Sequence, residues 1–84
     1  MPSESVENYL KAIYMLQQRG GPDARVKNKD IAEVLGHALP SVTSMLKALA
    51  ERALIDYVPY QGVHLTPDGR RAALKVIRRH RLLE

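Results

Sequence analysis

The chain has 84 residues, 45% of them hydrophobic, with a formal net charge of +4 and no cysteine. This length gives one small domain with a modest core, and the lack of thiols excludes disulfides, thiolate metal sites and cysteine nucleophiles. The sequence contains no apolar run long enough for a signal peptide or a membrane span, so we expect a cytoplasmic protein without membrane contact.

The first half of the sequence predicts two helices. Apolar residues recur at helical spacing over residues 6–17, and the glycine- and proline-containing segment 20–23 ends this first helix. Residues 24–26 predict a very short strand. Asn28 is placed to cap a second helix, and Gly36 is placed to end it.

A third helix is predicted over residues 40–52, because the proline at position 40 suits the first turn of a helix. Its apolar residues follow a spacing of three and four and so share one face. The opposite face is small and polar and carries one cation. It is formed by Ser41, Thr43, Ser44, Lys47 and Ala48.

The second half of the sequence predicts a β-hairpin followed by a helix. Residues 54–58 and 63–65 are rich in β-branched and apolar side chains and are separated by a turn at 59–62. Thr66 and the proline after it then begin a fourth helix, whose apolar stripe continues to the last residue. His64 should point outward from the hairpin, since it alternates with apolar neighbours.

The order of these elements predicts a mainly α domain with a small β-hairpin, the winged helix-turn-helix. A helix that reads base edges in the major groove needs short polar side chains and no bulky apolar ones on its outer face. The third helix meets this requirement, so we predict binding to double-stranded DNA. The predicted contact residues are Lys27, Ala38, Pro40, Ser41, Thr43, Ser44, Lys47, Tyr60 and Gln61, with Lys29 as a further candidate for phosphate.

Charge limits how tightly one copy of this module binds. Residues 70–84 hold six basic residues and one acidic residue, whereas residues 24–66 hold five basic and four acidic ones. The terminal basic run is also typical of a solvated helix face. We therefore expect tight binding to need two copies on a palindromic operator, with half-sites about one helical turn of DNA apart.

Five phrases in fixed order resemble one known family, and they are distributed along the chain from residue 7 to residue 84. They are ENYLKAIY at 7–14, DIAEVLG at 30–36, PSVTSML at 40–46, LTPDG at 65–69 and RHRLLE at 79–84. They are similar to the diphtheria toxin repressor and manganese transport regulator family. The resemblance implies a metal-activated bacterial repressor of iron or manganese uptake genes that acts as a homodimer. It also implies that residues 1–72 form the DNA-binding domain and that 73–84 begin the helix leading to a dimerisation domain absent from this chain.

The same resemblance places metal ligands at Asn8 and His80. Glu84 follows His80 by four residues, which puts both on one helix face, a suitable pair for a divalent cation. A histidine on an apolar stripe is also typical of a buried core residue. Manganese-type members carry Asp and Glu where this chain has Asn8 and Lys11, and an amide is a weaker donor than a carboxylate. We therefore expect Mn²⁺ or Fe²⁺ in the full-length form and no tight metal binding by this chain.

Other functions remain as alternatives at this point. The sequence has no glycine-rich phosphate loop and no base and nucleophile at suggestive spacing, so we do not expect an enzyme. The two rivals are a winged-helix module that binds another protein and a winged-helix regulator that metal does not control. His37, before the third helix, is expected to be a solvated turn residue or a phosphate contact. Ala53 stands where relatives end the third helix with glycine, and a left-handed backbone there costs about 1 kcal/mol.

Overall fold

The computed structural model describes residues 4–21 and 24–82, and within the last helix it describes side chains as far as Arg79. Four helices and two strands follow one another in these described residues. They are α1 (Glu4–Gly20), α2 (Asn28–Leu35), α3 (Leu39–Glu51), β1 (Ile55–Val58), β2 (Gly62–Leu65) and α4 (Pro67–Leu82). This is the winged helix-turn-helix predicted from the sequence, with α2 and α3 as the helix-turn-helix pair.

The wing, which we define as β1, β2 and the turn 59–61 between them, is a two-stranded antiparallel sheet. Ile55 lies opposite Leu65 in its register. Val26 adds one bridge at the edge of the sheet, where its N–H and carbonyl exchange hydrogen bonds of 2.7 and 2.9 Å with Val63. The short strand predicted at 24–26 is therefore a single bridging residue that ties the entry to α2 onto the wing.

The core lies where α1, α2, α3 and the wing meet. Burying these apolar side chains is the main force that holds such short elements together. α4 packs along α1 and contributes the buried Ala73 and Val76. The largest fully buried side chains are Ile13, Ile31, Val42, Leu46, Leu49 and Val63.

Two helices begin one residue earlier than predicted. Lys27, not Asn28, is the N-cap of α2, and it makes no side-chain capping bond. α3 begins at Leu39 with Ala38 as its N-cap, so Pro40 is the second helical residue. Pro40 lies in the first turn of α3, as predicted, and its missing N–H has no helical partner to lose there. The local sequence pattern does not distinguish the first helical position from the second.

Three other predicted helix boundaries are confirmed. Gly36 ends α2 in the left-handed conformation, with φ 68°. Ala53 follows α3 with φ 60°, the strained backbone expected where relatives have glycine. Thr66 caps the start of α4, since its Oγ1 accepts a 3.0 Å hydrogen bond from the Gly69 N–H and donates a 2.7 Å bond to the Ala53 carbonyl.

The described helices include none with the length and apolar character that crossing a bilayer requires.

Candidate nucleic-acid interface

The two faces of α3 are sharply different in exposure. Val42, Leu46 and Leu49 are buried against the core, with at most 1% of their surface exposed. On the other face Ser41 and Ser44 are exposed, and Thr43 is partly buried. The hydroxyl-bearing side chains predicted to face DNA therefore do not pack inside the protein. Their alternation with buried residues follows from the spacing of the apolar positions along the helix.

A cleft of about 460 Å³ lies between the start of α2, the outer face of α3 and the wing. Three lysines converge on it, and none of its described lining residues is acidic, so its electrostatic field favours an anion. Its lining residues are Lys27, Asn28, Lys29, Leu39, Thr43, Lys47, Tyr57, Pro59, Tyr60 and Gly62. We refer to it as the cationic cleft.

The structure brings some predicted contact residues into the cationic cleft and leaves others outside it. Those in the cleft are Lys27, Lys29, Thr43, Lys47 and Tyr60. Outside it, the exposed start of α3 carries Ala38, Pro40, Ser41 and Ser44, and the exposed Gln61 lies in the wing turn. The predicted set therefore spans two adjoining surfaces, the cleft and the start of α3.

Two polar side chains of the cleft, those of Asn28 and Tyr57, were not predicted from the sequence to belong to the interface. Asn28, interpreted as a helix cap, instead donates from Nδ2 to Thr43 Oγ1 and to the Tyr57 hydroxyl oxygen, both at 3.2 Å. The alternation of β1 could have indicated Tyr57, because a strand places it on the same face as the buried Ile55. No local signal links Asn28 to partners 15 and 29 residues away in the sequence.

The outer face of the wing carries a cluster of charged side chains. Arg25 Nη2 donates to Asp56 Oδ2 at 2.8 Å, and its Nη1 donates to the carbonyls of Asp56 and Gly62 at 3.2 and 3.1 Å. His64 points outward as predicted, with Nε2 3.2 Å from the same carboxylate. The hydrogen bond from Arg25 holds the pKa of Asp56 below its usual value. One arginine thus spans both strands of the wing.

The turn before α3 is held by α1. The Tyr9 hydroxyl lies 3.2 Å from His37 Nδ1, and the two rings are tilted with centroids 5.7 Å apart. His37 was expected to be solvated or to touch phosphate, and neither expectation included this partner. Burial raises the pKa of Tyr9, because the ionised phenolate would lose hydration.

The described side chains do not form a Mn²⁺ or Fe²⁺ site. Asn8 is exposed on α1 and offers one neutral amide oxygen. The carboxylate of the neighbouring Glu7 accepts a 2.7 Å hydrogen bond from Arg79 Nη2. No three His, Cys, Asp or Glu residues lie close enough to hold a metal in the part of the chain that the structure describes. The other two predicted ligands, the His80 side chain and Glu84, lie outside the described residues.

Known proteins resemble this chain both in sequence and in structure. The HTH-type transcriptional regulator MntR of Geobacillus kaustophilus (strain HTA426) is 42% identical over 84 residues, which are 100% of this chain and 57% of that protein. The crystal structure of ScaR with bound Zn²⁺ superposes with a TM-score of 0.78 at 33% identity, covering 94% of this chain and 35% of that one. The manganese regulator SloR gives 0.77 at 36% identity, covering 100% of this chain and 37% of its own.

A family model described as the iron dependent repressor, N-terminal DNA binding domain, matches residues 1–63. This match confirms the resemblance noted in the sequence, and it includes all of α1, α2, α3 and β1. The chain spans little more than half the length of the MntR relative. The chain belongs to the iron-dependent repressor family and contains its N-terminal DNA-binding domain.

Proposed function

We propose that this chain reads an operator in duplex DNA by placing the outer face of α3 in the major groove. The observation that carries the proposal is the exposure of Ser41 and Ser44 beside a cleft lined by lysines and by no described acidic residue. Short hydroxyl side chains let a helix approach base edges closely, and lysines neutralise the flanking phosphates. The family to which the chain belongs supports the same function.

Reading and positioning fall to different residues in this proposal. The exposed Ser41 and Ser44 face the base edges, and Thr43 lies beside them at the edge of the cationic cleft. Ala38 and Pro40 leave room for the start of α3 to enter the groove. Phosphate contacts position the domain without reading sequence. We assign them to Lys27, Lys29, Lys47 and the wing residues Tyr60 and Gln61, of which Tyr60 is 99% exposed.

The protein that contains this chain is proposed to be a homodimer on a palindromic operator. The near balance of charge over residues 24–66 supports this, because one copy neutralises few phosphates. α4 runs unbroken from Pro67 to Leu82, so it crosses the proposed boundary between domain 1–72 and linking segment 73–84 as one helix. The part of the MntR relative that this chain does not match has room for a dimerisation domain.

Repression is proposed to be controlled by Mn²⁺ or Fe²⁺, bound mainly by residues outside this chain. The support is the iron-dependent family to which the chain belongs and its likeness to SloR, a manganese regulator. Isolated, this chain should bind Mn²⁺ weakly, because Asn8 supplies a neutral amide oxygen, which is a weaker ligand than a carboxylate. Isothermal titration of the 84-residue chain with Mn²⁺ checks this, and sub-micromolar affinity would contradict it.

The proposed reading function is tested by selecting duplexes from a random pool with the wild-type chain and three variants. Ser44→Ala should relax the preference at one base position, whereas Lys47→Ala should weaken all sequences alike and lower the salt slope by about 1. Ser5→Ala, an exposed serine of α1, is the matched control and should change neither. Duplex binding that does not depend on salt would favour a protein-interaction module instead. Unchanged selection by Ser44→Ala would show that the assignment of α3 as the reading helix is wrong.

A further inference from the structure

Asn28, the first residue of α2, joins three elements of the fold through one side-chain amide. Its Nδ2 lies 3.2 Å from Thr43 Oγ1 in α3 and 3.2 Å from the Tyr57 hydroxyl oxygen in β1. All three side chains are partly buried. A primary amide carries two N–H hydrogens, so one nitrogen can donate to both hydroxyls at once. Asn28 therefore holds one hydroxyl of α3 and one hydroxyl of the wing in fixed positions.

These two bonds decide where the hydroxyl protons of Thr43 and Tyr57 point. Each oxygen accepts a proton from Asn28, so its own proton must point elsewhere, toward a separate acceptor. Among the described residues, neither hydroxyl donates a hydrogen bond. Both protons are therefore available to an acceptor that approaches from outside the chain.

The cationic cleft determines the chemistry of that acceptor. Thr43 and Tyr57 both line the cleft together with Lys27, Lys29 and Lys47, and the described lining residues include no carboxylate. Three ammonium groups and two hydroxyl protons suit an anion that presents several oxygens, which is the chemistry of a phosphate group. A DNA strand next to α3 supplies such oxygens along its backbone.

We propose that Asn28 is a positioning residue that orients the Thr43 and Tyr57 hydroxyls as donors to a DNA backbone phosphate seated in the cationic cleft. The proposal rests on the proposed function, because it requires that α3 and the wing face a duplex. Asn28 acts through the two hydroxyls and does not touch the DNA. Thr43 consequently contacts the backbone, and base reading is left to Ser41 and Ser44.

A double-mutant cycle separates this role from simple support of the fold. We would measure fluorescence anisotropy of a labelled mixed-sequence duplex of about 24 base pairs, since phosphate contacts do not depend on sequence. Tyr57→Phe and Asn28→Ala should each weaken binding about 3- to 10-fold, the range for a neutral hydrogen bond. The affinity of the double variant for the duplex should equal that of Asn28→Ala within about twofold, because Asn28 acts through the hydroxyls that it orients.

Salt dependence gives a second readout that a structural role would not reproduce. A hydroxyl releases no counterion, so Tyr57→Phe and Asn28→Ala should lower affinity at every salt concentration without changing the salt slope. Lys29→Ala should lower the slope by about 1. Tyr14→Phe and Gln18→Ala are matched controls on α1 and should leave affinity unchanged.

Failures of the two proposals have different signatures. If the wild-type chain shows no salt-dependent duplex binding, the proposed function is wrong and this inference is wrong with it. If the wild type binds but Asn28→Ala has no effect, or its loss adds fully to that of Tyr57→Phe, only the role of Asn28 is overturned. If Asn28→Ala leaves the affinity for the duplex unchanged but abolishes the stabilisation of the folded domain by inorganic phosphate, the cleft binds a free phosphate ion. The proposal is then overturned.

Discussion

The Tyr9 hydroxyl and His37 Nδ1 are 3.2 Å apart, and this contact joins α1 to the turn that leads into α3. Only 2% of the Tyr9 surface is exposed, so its position is fixed by the core. His37 lies between Gly36, which ends α2, and Ala38, the N-cap of α3. The core of the domain is thus connected directly to the placement of the proposed reading helix.

Replacing Tyr9 with phenylalanine should destabilise the domain, because it removes this hydrogen bond without removing the ring. We expect the free energy of unfolding to fall by about 0.5–1.5 kcal/mol, the usual net value of one hydrogen bond. Chemical denaturation followed by circular dichroism measures it. Tyr60→Phe, at a side chain that is 99% exposed, is the control and should leave stability unchanged.

Alkaline pH should destabilise the wild type more than it destabilises Tyr9→Phe. Burial raises the pKa of Tyr9 above its ordinary value of 10.0, so the folded state binds the phenolic proton more tightly than the unfolded state. The resulting stability is fully present below pH 10.0 and is lost as pH rises through the folded-state pKa. Denaturation curves collected across this interval check the sign, and parallel losses in the two proteins would contradict it.

The Arg25–Asp56 pair should make the wing sensitive to acid. Arg25 lowers the pKa of Asp56 from its ordinary value of 3.8, so the carboxylate stabilises the fold above that value and the effect is lost as pH falls further. Asp56→Asn should be less stable than the wild type near neutral pH. The difference should vanish in strong acid, and a difference that persisted there would point to packing instead.

The sequence around Arg25 predicted only a short strand. It did not predict the hydrogen bonds from Arg25 to two backbone carbonyls of the wing. The reason is general to this fold. Helix periodicity, the hairpin and the Thr66 cap depend on neighbours within a few residues, so they could be predicted from local pattern. The bonds of Arg25, Asn28 and Tyr9 join residues separated by 15 to 37 positions, and they exist only once the elements have packed.

The same distinction applies to the interface. The exposed face of α3 followed from the spacing of Val42, Leu46 and Leu49, because those residues had to be buried together. The cationic cleft could not be foreseen, since it forms between α2, α3 and the wing. Tyr57 enters it only because of the way β1 packs on α3.

Replacing Ala53 with glycine should stabilise the domain. Its φ of 60° places a side-chain-bearing residue in the left-handed region, where glycine has no steric cost. We expect a gain of about 0.5–1 kcal/mol, the strain relieved less the entropy that glycine adds to the unfolded chain. Ala48→Gly, within α3, should lower the free energy of unfolding by about 1 kcal/mol. Chemical denaturation followed by circular dichroism measures both variants. A loss at both positions would show that Ala53 is not strained.

The placement of α3 against DNA is tested most directly by ¹⁵N-resolved NMR of the 84-residue chain titrated with a short duplex at low salt. We expect the amide signals of residues 38, 39 and 41–47 and of Tyr60 and Gln61 in the wing turn to shift, while those of Met15 and Gln18 on α1 stay in place. Shifts confined to α1 and α4, with the α3 signals unchanged, would contradict it.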